Sequence, residues 1–166
     1  MSAALVATAM SALARILFVD DTPAEWQLAL ASLADGALME QTTVVKDKDE
    51  ALDFLHERGS FRRRVSGLPA VVVLGPNVRR PTAMSLLKDI RSDATLRRVP
   101  VVMIATAPDE ETVRSAYEQG VNSLIRTHDD VQIRAERYAA LALFWGWANE
   151  PPPESVGQPK SQRLGQ

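Results

Sequence analysis

Five short, β-rich apolar runs alternate with stretches of helical periodicity, and this alternation constrains the fold more than any other feature of the chain. The runs are 15–19 (RILFV), 42–45 (TTVV), 70–74 (AVVVL), 101–104 (VVMI) and 122–125 (NSLI). Continuous runs of this kind suit strands buried on both faces, and hence a parallel sheet. Between them, apolar residues recur at helical spacing: Trp26, Leu28, Leu30 and Leu33, then Ala51, Leu52, Phe54 and Leu55. Met84, Leu86, Leu87 and Ile90 follow, then Val113, Ala116 and Tyr117. Helices are expected from Thr22-Pro23 toward Gly36 and over 47–58, 82–91, 109–119 and 129–149, with Gly59 and Gly120 as stops. A strand–helix alternation predicts an α/β domain: a five-stranded parallel sheet with helices on both faces.

Composition narrows the function classes. The 166 residues suffice for one domain, and 46% hydrophobic with 24% charged residues is the balance of a folded core. Nineteen basic and 21 acidic side chains leave a net charge of -2, so no footprint for nucleic acid or an anionic membrane is expected. The chain has no Cys, which excludes disulfides, thiol catalysis and Cys-based zinc sites. His56 and His128 alone do not make a His-rich metal site. No apolar run reaches the roughly eighteen residues of a spanning helix. Residues 1–14 (MSAALVATAMSALA) lack the basic start of a secretory signal and read as an N-terminal extension, with Met10 an alternative start. The domain is expected at 15–149, the Pro- and Gln-rich 150–166 as a disordered tail, and the cytoplasm as the compartment.

In an open parallel sheet, function gathers at the carboxyl ends of the strands. Here those ends carry Asp20, Asp21, Gly75, Asn77, Ala105, Thr106 and Thr127. Adjacent carboxylates such as Asp20 and Asp21 repel each other, and a nearby cation offsets the cost. Hard oxygen ligands suit Mg²⁺. Acidic residues ahead of a helix are equally favoured by its dipole, so spacing alone leaves both readings open.

ILFVDD at the first strand, VVVLGPN at the third, PVVMIA at the fourth and NSLI at the fifth resemble a response-regulator receiver domain over about residues 15–147. The resemblance implies a flavodoxin-like (βα)5 fold, a phosphoacceptor Asp on the third strand and Mg²⁺ beside it. It further implies a hydroxyl residue after the fourth strand and a Lys after the fifth. Asp20 and Asp21 keep the acidic pair, and Asn77 stands where the family supplies a backbone carbonyl to the metal. The phosphoacceptor position reads Gly75, the hydroxyl position Ala105, the Lys position Thr127, and the aromatic position linked to switching reads Leu124. Gly75 offers no carboxylate for an acyl phosphate, and without that oxygen the Mg²⁺ site is weakened. Thr106 and Arg126 lie one residue off register, which in an extended strand turns a side chain to the other face. The expectation is a pseudo-receiver that keeps the fold and drops the chemistry: no catalytic residue, no required cofactor, not an enzyme.

In the last helix, AALALFWGWA is apolar on every side, where a surface helix keeps a polar face. Phe144, Trp145 and Trp147 are therefore expected at an interface, the alternative being burial in their own domain. The Phe-Trp end followed by Pro resembles the small response regulators associated with bacterial and cyanobacterial phytochromes. That likeness implies a homodimer and a sensor histidine kinase, a phytochrome, as partner. Trp26 reads as core or as partner contact. Arg62, Arg63, Arg64, Arg97, Arg98 and His128 read as solvated surface. Arg79 and Arg80 share that reading, with an anion contact as the alternative. Two other functions stay open: phosphorylation at Asp20 or Asp21, and small-molecule or ion sensing in the pocket beside Gly75.

Overall fold

The structure, a computed structural model, describes residues 14–31 and 33–153. Five strands, β1 (Ile16–Val19), β2 (Thr42–Val45), β3 (Val71–Leu74), β4 (Val101–Ala105) and β5 (Ser123–Arg126), form one sheet in the order β2-β1-β3-β4-β5. Every pairing is parallel, as expected. The central β1 and β3 are apolar at every position and wholly buried. The edge strands, TTVV and SLIR, carry the polar residues that half-exposure allows.

Side chains alternate across the sheet and build two cores. Leu17, Val19, Val72, Leu74, Val101 and Met103 meet Phe54, Leu86, Leu87 and Ala116. These come from α2 (Lys48–Leu55), α3 (Arg80–Ser92) and α4 (Glu110–Glu118). Ile16, Phe18, Val71, Val73, Val102 and Ile104 meet Trp26, Leu30, Tyr138 and Leu141, from α1 (Ala24–Ala31) and α5 (Val131–Leu143). Helices thus cover both faces. The starts of α2, α4 and α5 are set by Asp47, Asp109 and Asp130, whose carboxylates accept first-turn N–H groups.

Four sequence expectations are corrected. Leu28 is 75% exposed: Trp26 and Leu30, four apart, take the inner face of α1, and position 28 falls opposite. Tyr117 is also outward, its hydroxyl accepting the Leu124 N–H on the open edge of β5 (3.2 Å). After α1 the chain turns through Leu33–Gly36 and a one-turn helix, Ala37–Glu40, that buries Leu38. The final helix is not uniform: α5 ends at Leu143 and widens into a π turn, Phe144–Ala148, closed by Asn149 N–H on the Phe144 carbonyl (2.7 Å).

Gly146 makes that π turn fit. A Cβ there would lie 2.7 Å from Leu38 Cδ2 and 3.3 Å from Ile16 Cδ1. The Gly146 carbonyl accepts the Ala14 N–H (2.7 Å), and both Ala14 and Pro151 are buried, just outside the expected limits of the domain. The rest of the expected extension (1–13) and tail (154–166) lies outside the described residues. No helix among the described residues is long and apolar enough to cross a membrane.

Arg62 and Arg63 are exposed as expected, but Arg64 is structural. Its guanidinium lies 4.2 Å from the Phe54 ring centroid and donates to the carbonyls of Phe54, Val65 and Gly67. Arg91, which no sequence signal marked, donates to the Gly120 and Val99 carbonyls and to Asn122 Oδ1, tying α3 to the entry of β5. Burial lowers the pKa of both arginines.

Candidate functional site

Asp20 leaves β1 with its N–H on the Val45 carbonyl (2.9 Å), so the strand geometry carries the side chain to the sheet's carboxyl end. The side chain is 1% exposed, the buried charged group among the described residues. A charge so placed needs strong donors. Oδ1 accepts Thr22 N–H (2.8 Å), the Thr22 hydroxyl (3.1 Å) and Asn77 Nδ2 (3.1 Å). Oδ2 accepts Asn77 N–H (3.0 Å) and, more distantly, Asn77 Nδ2 (3.3 Å). The carboxylate is thus solvated by the protein, with charge-assisted bonds that join the ends of β1 and β3.

Gly75 follows β3, its N–H on the Val19 carbonyl (2.8 Å). A Cβ on Gly75 would stand 2.2 Å from Asp20 Oδ2, 2.7 Å from Asp20 Cβ and 2.8 Å from Asp20 Cγ. The Asp20 carboxylate therefore lies in the space that a side chain at the end of β3 would enter. The structure brings Asp20, Gly75 and Asn77 together. Asp21 is exposed, reached by the Thr22 hydroxyl at 3.4 Å.

This donor set does not fit Mg²⁺. The ion takes oxygen lone pairs at about 2.0–2.1 Å in near-octahedral array. Both oxygens of Asp20 already accept protein donors, Asn77 presents N–H groups to them, and Gly75 supplies no side chain. No group of three His, Cys, Asp or Glu placed to hold a metal occurs among the described residues.

The remaining positions face each other across the ends of β4 and β5. Ala105 offers only a methyl group, and its carbonyl accepts the Thr127 N–H (2.9 Å). The Thr127 hydroxyl donates to the Thr106 hydroxyl (3.3 Å). Thr106 thus lines the same cleft as Gly75 and Ala105, contrary to the opposite face expected for it. β4 ends at Ala105, so strand alternation does not extend to residue 106. Arg126 is exposed and donates to the Pro108 carbonyl (2.9 Å), while Leu124 packs on the core shared with α2–α4. The cleft has a volume of about 500 Å³, with Met103 to Ala105 at its floor and Arg79, Arg80 and Asp109 among its walls. Thr112 donates to Asp109 from its hydroxyl and its N–H, holding that carboxyl below the usual range, and Arg80 adds to the effect.

Trp26 is core: it stacks on Phe18 (centroids 4.4 Å apart, 12° between planes) and tilts against Tyr138 (5.8 Å). Beside it, Arg134 grips Glu25 with two bonds of 2.8 and 3.0 Å, joining α5 to α1. At the π turn, Phe144 is 51% and Trp147 is 58% exposed. Trp145 does not join them fully: it packs on the Ile16–Leu38 core, edge-on to Phe144 (5.1 Å). His128 is an exposed turn residue whose Nδ1 accepts the Asp130 N–H (3.0 Å).

No family model matches the sequence. The response regulator Rcp1 of Synechocystis sp. is 25% identical over 130 residues, which cover 78% of this chain and 87% of that protein. The crystal structure of the phosphorylated cyanobacterial phytochrome response regulator RcpA aligns with a TM-score of 0.71 at 26% identity, over 85% of this chain and 99% of that one. The bacteriophytochrome response regulator RtBRR aligns with a TM-score of 0.59 at 33% identity, over 86% of each chain. Sheet order, the acidic pair at the end of β1 and this identity across most of the chain agree, and the chain belongs to the family of response-regulator receiver domains.

Proposed function

We propose that this protein is a receiver that accepts no phosphoryl group and signals by protein–protein contact in a phytochrome-linked two-component pathway. One observation carries the reading: the Asp20 carboxylate fills the space above Gly75, the position from which the family's phosphoacceptor would project. Ala105 and Thr127 remove two further groups that would face a phosphoryl oxygen, and the donor set does not fit Mg²⁺. Such a protein is not an enzyme and works from one state. Its partner is a sensor histidine kinase of the phytochrome class, met in the cytoplasm and without nucleic acid. It acts as a homodimer, a reading supported by the exposed Phe144 and Trp147.

Incubation of the full chain with acetyl phosphate and Mg²⁺, followed by intact mass spectrometry, tests the proposal. The expected result is an unchanged mass. An added phosphoryl group, mapped by peptide analysis to Asp20 or Asp21, would overturn it in favour of modification at the acidic pair.

A further inference from the structure

We propose that residues 1–13 pack over the exposed rings of Phe144 and Trp147 in their own chain, a cover that a second copy must displace in order to pair there. The cover itself stands apart from the homodimer reading; its effect on pairing rests on that reading.

The first observation is the surface. Leu143, Phe144 and Trp147 are exposed where α5 passes into the π turn, three large apolar side chains within five positions. Trp145 and Gly146, in the same turn, pack on the domain, so the outer rings are presented from a fixed support. Any apolar segment that removes such rings from water is stabilised by doing so.

The second is where the chain enters. The described chain begins at Ala14, which is buried and whose N–H donates to the Gly146 carbonyl (2.7 Å). Leu13 is bonded to that same nitrogen, so whatever precedes Ala14 arrives at the turn that carries both rings. Thirteen residues span about 45 Å when extended and about 20 Å as a helix, more than one turn requires. A segment attached so close meets the rings at an effective concentration on the order of millimolar, ahead of a separate copy in dilute solution.

The third is the match in composition. Residues 1–13 (MSAALVATAMSAL) carry no charged side chain. Leu5, Val6, Met10 and Leu13 recur at helical spacing on one side, and Thr8 and Ser11 fall opposite. A helix this short is marginal in water unless its apolar side is packed. Met adds favourable sulfur–ring contacts on an aromatic surface. The segment at the other end, 154–166 (ESVGQPKSQRLGQ), suits the same seat poorly. It carries Glu154, Lys160 and Arg163, and Pro159 interrupts any helical spacing.

The test uses the full chain throughout. Methyl groups of Leu5, Val6 and Met10 are expected to give nuclear Overhauser effects (NOEs) to the ring protons of Phe144 and Trp147. Filtered spectra of a mixture of ¹³C-labelled and unlabelled chain are expected to place these NOEs within one copy. Val6→Asp with Met10→Asp puts charge on the apolar stripe and is expected to remove them. Thr8→Asp with Ser11→Asp puts the same charge on the opposite side and is expected to leave them. A cover present in about nine of ten copies lowers the pairing-competent fraction about tenfold, so sedimentation equilibrium is expected to find pairing about tenfold or more tighter in Val6→Asp with Met10→Asp. Absence of these NOEs, NOEs between copies only, equal loss with both charge pairs, or measurable pairing that is unchanged or weaker in that variant would overturn the proposal. A chain monomeric in every form, with the NOEs present within one copy, would support the cover and refute the homodimer reading, so the two failures are distinguishable.

Discussion

At the scale of residues, two positions just beyond the ends of neighbouring strands meet at the centre of the site. The register pairs Val19 with Leu74, which places Asp20 and Gly75 side by side at the next position. A methyl group on Gly75 would meet the Cβ, Cγ and Oδ2 of Asp20, all within 2.8 Å. Gly75→Ala is therefore expected to destabilise the fold by about 1–3 kcal/mol, the usual cost of overpacking. In an Asp20→Gly background the obstructing atoms are gone and the added cost should largely vanish, a coupling that denaturant unfolding of the four-member cycle measures. Equal cost in both backgrounds would show that Asp20 is not the obstacle. That the third strand is followed by Gly75, at the position where the resemblance implies a phosphoacceptor, was legible in VVVLGPN alone. What took its space was not, because Asp20 and Asn77 are 57 residues apart and meet only through the β1–β3 pairing. Arg64 and Arg91 were illegible for a similar reason: the Phe54 ring and carbonyl that hold the one, and the Val99 and Gly120 carbonyls that hold the other, reach them only through tertiary packing.

At the scale of elements, strands were read to within a residue at each end, since buried parallel strands announce themselves as unbroken apolar runs. Helices were less exact. Apolar residues in α1 outnumber its buried positions, so Leu28 could not be told from Trp26 and Leu30 by composition. The π turn was invisible as well, because the close approach of Gly146 to Leu38 and Ile16 within it brings together residues far apart in the sequence. That turn rotates Trp145 inward and leaves Phe144 and Trp147 outward, so the apolar-on-all-sides segment resolves into one inner and two outer aromatics. Large exposed aromatics are the side chains that dominate association when a partner buries them. Phe144→Ala with Trp147→Ala is expected to weaken self-association by about 2 kcal/mol or more in sedimentation equilibrium while leaving the unfolding midpoint nearly unchanged. Lost stability with unchanged association would assign both rings to the domain's own fold.

At the scale of the whole molecule, one sheet separates two helical layers, and carboxylates engaged by local donors link stability to pH. Glu57, Asp93 and Asp109 all lie below their ordinary pKa. The first causes are the Gly67 N–H for Glu57, the Leu96 N–H for Asp93 and the Thr112 hydroxyl for Asp109. A carboxylate depressed in the fold stabilises it above the unfolded pKa and stops doing so as pH falls through the folded one. Thermal stability is therefore expected to hold through the neutral range and to fall on acidification below about pH 4–5, which melting curves across a pH series check. At that same scale stands the central claim, that assembly and signalling need no phosphoryl group. Light scattering over a dilution series of the full chain, with and without acetyl phosphate and Mg²⁺, tests it most directly. The account predicts a dimer mass that dissociates with dilution identically under both conditions; a monomer throughout, or a monomer that pairs only when the phosphodonor is present, would contradict it.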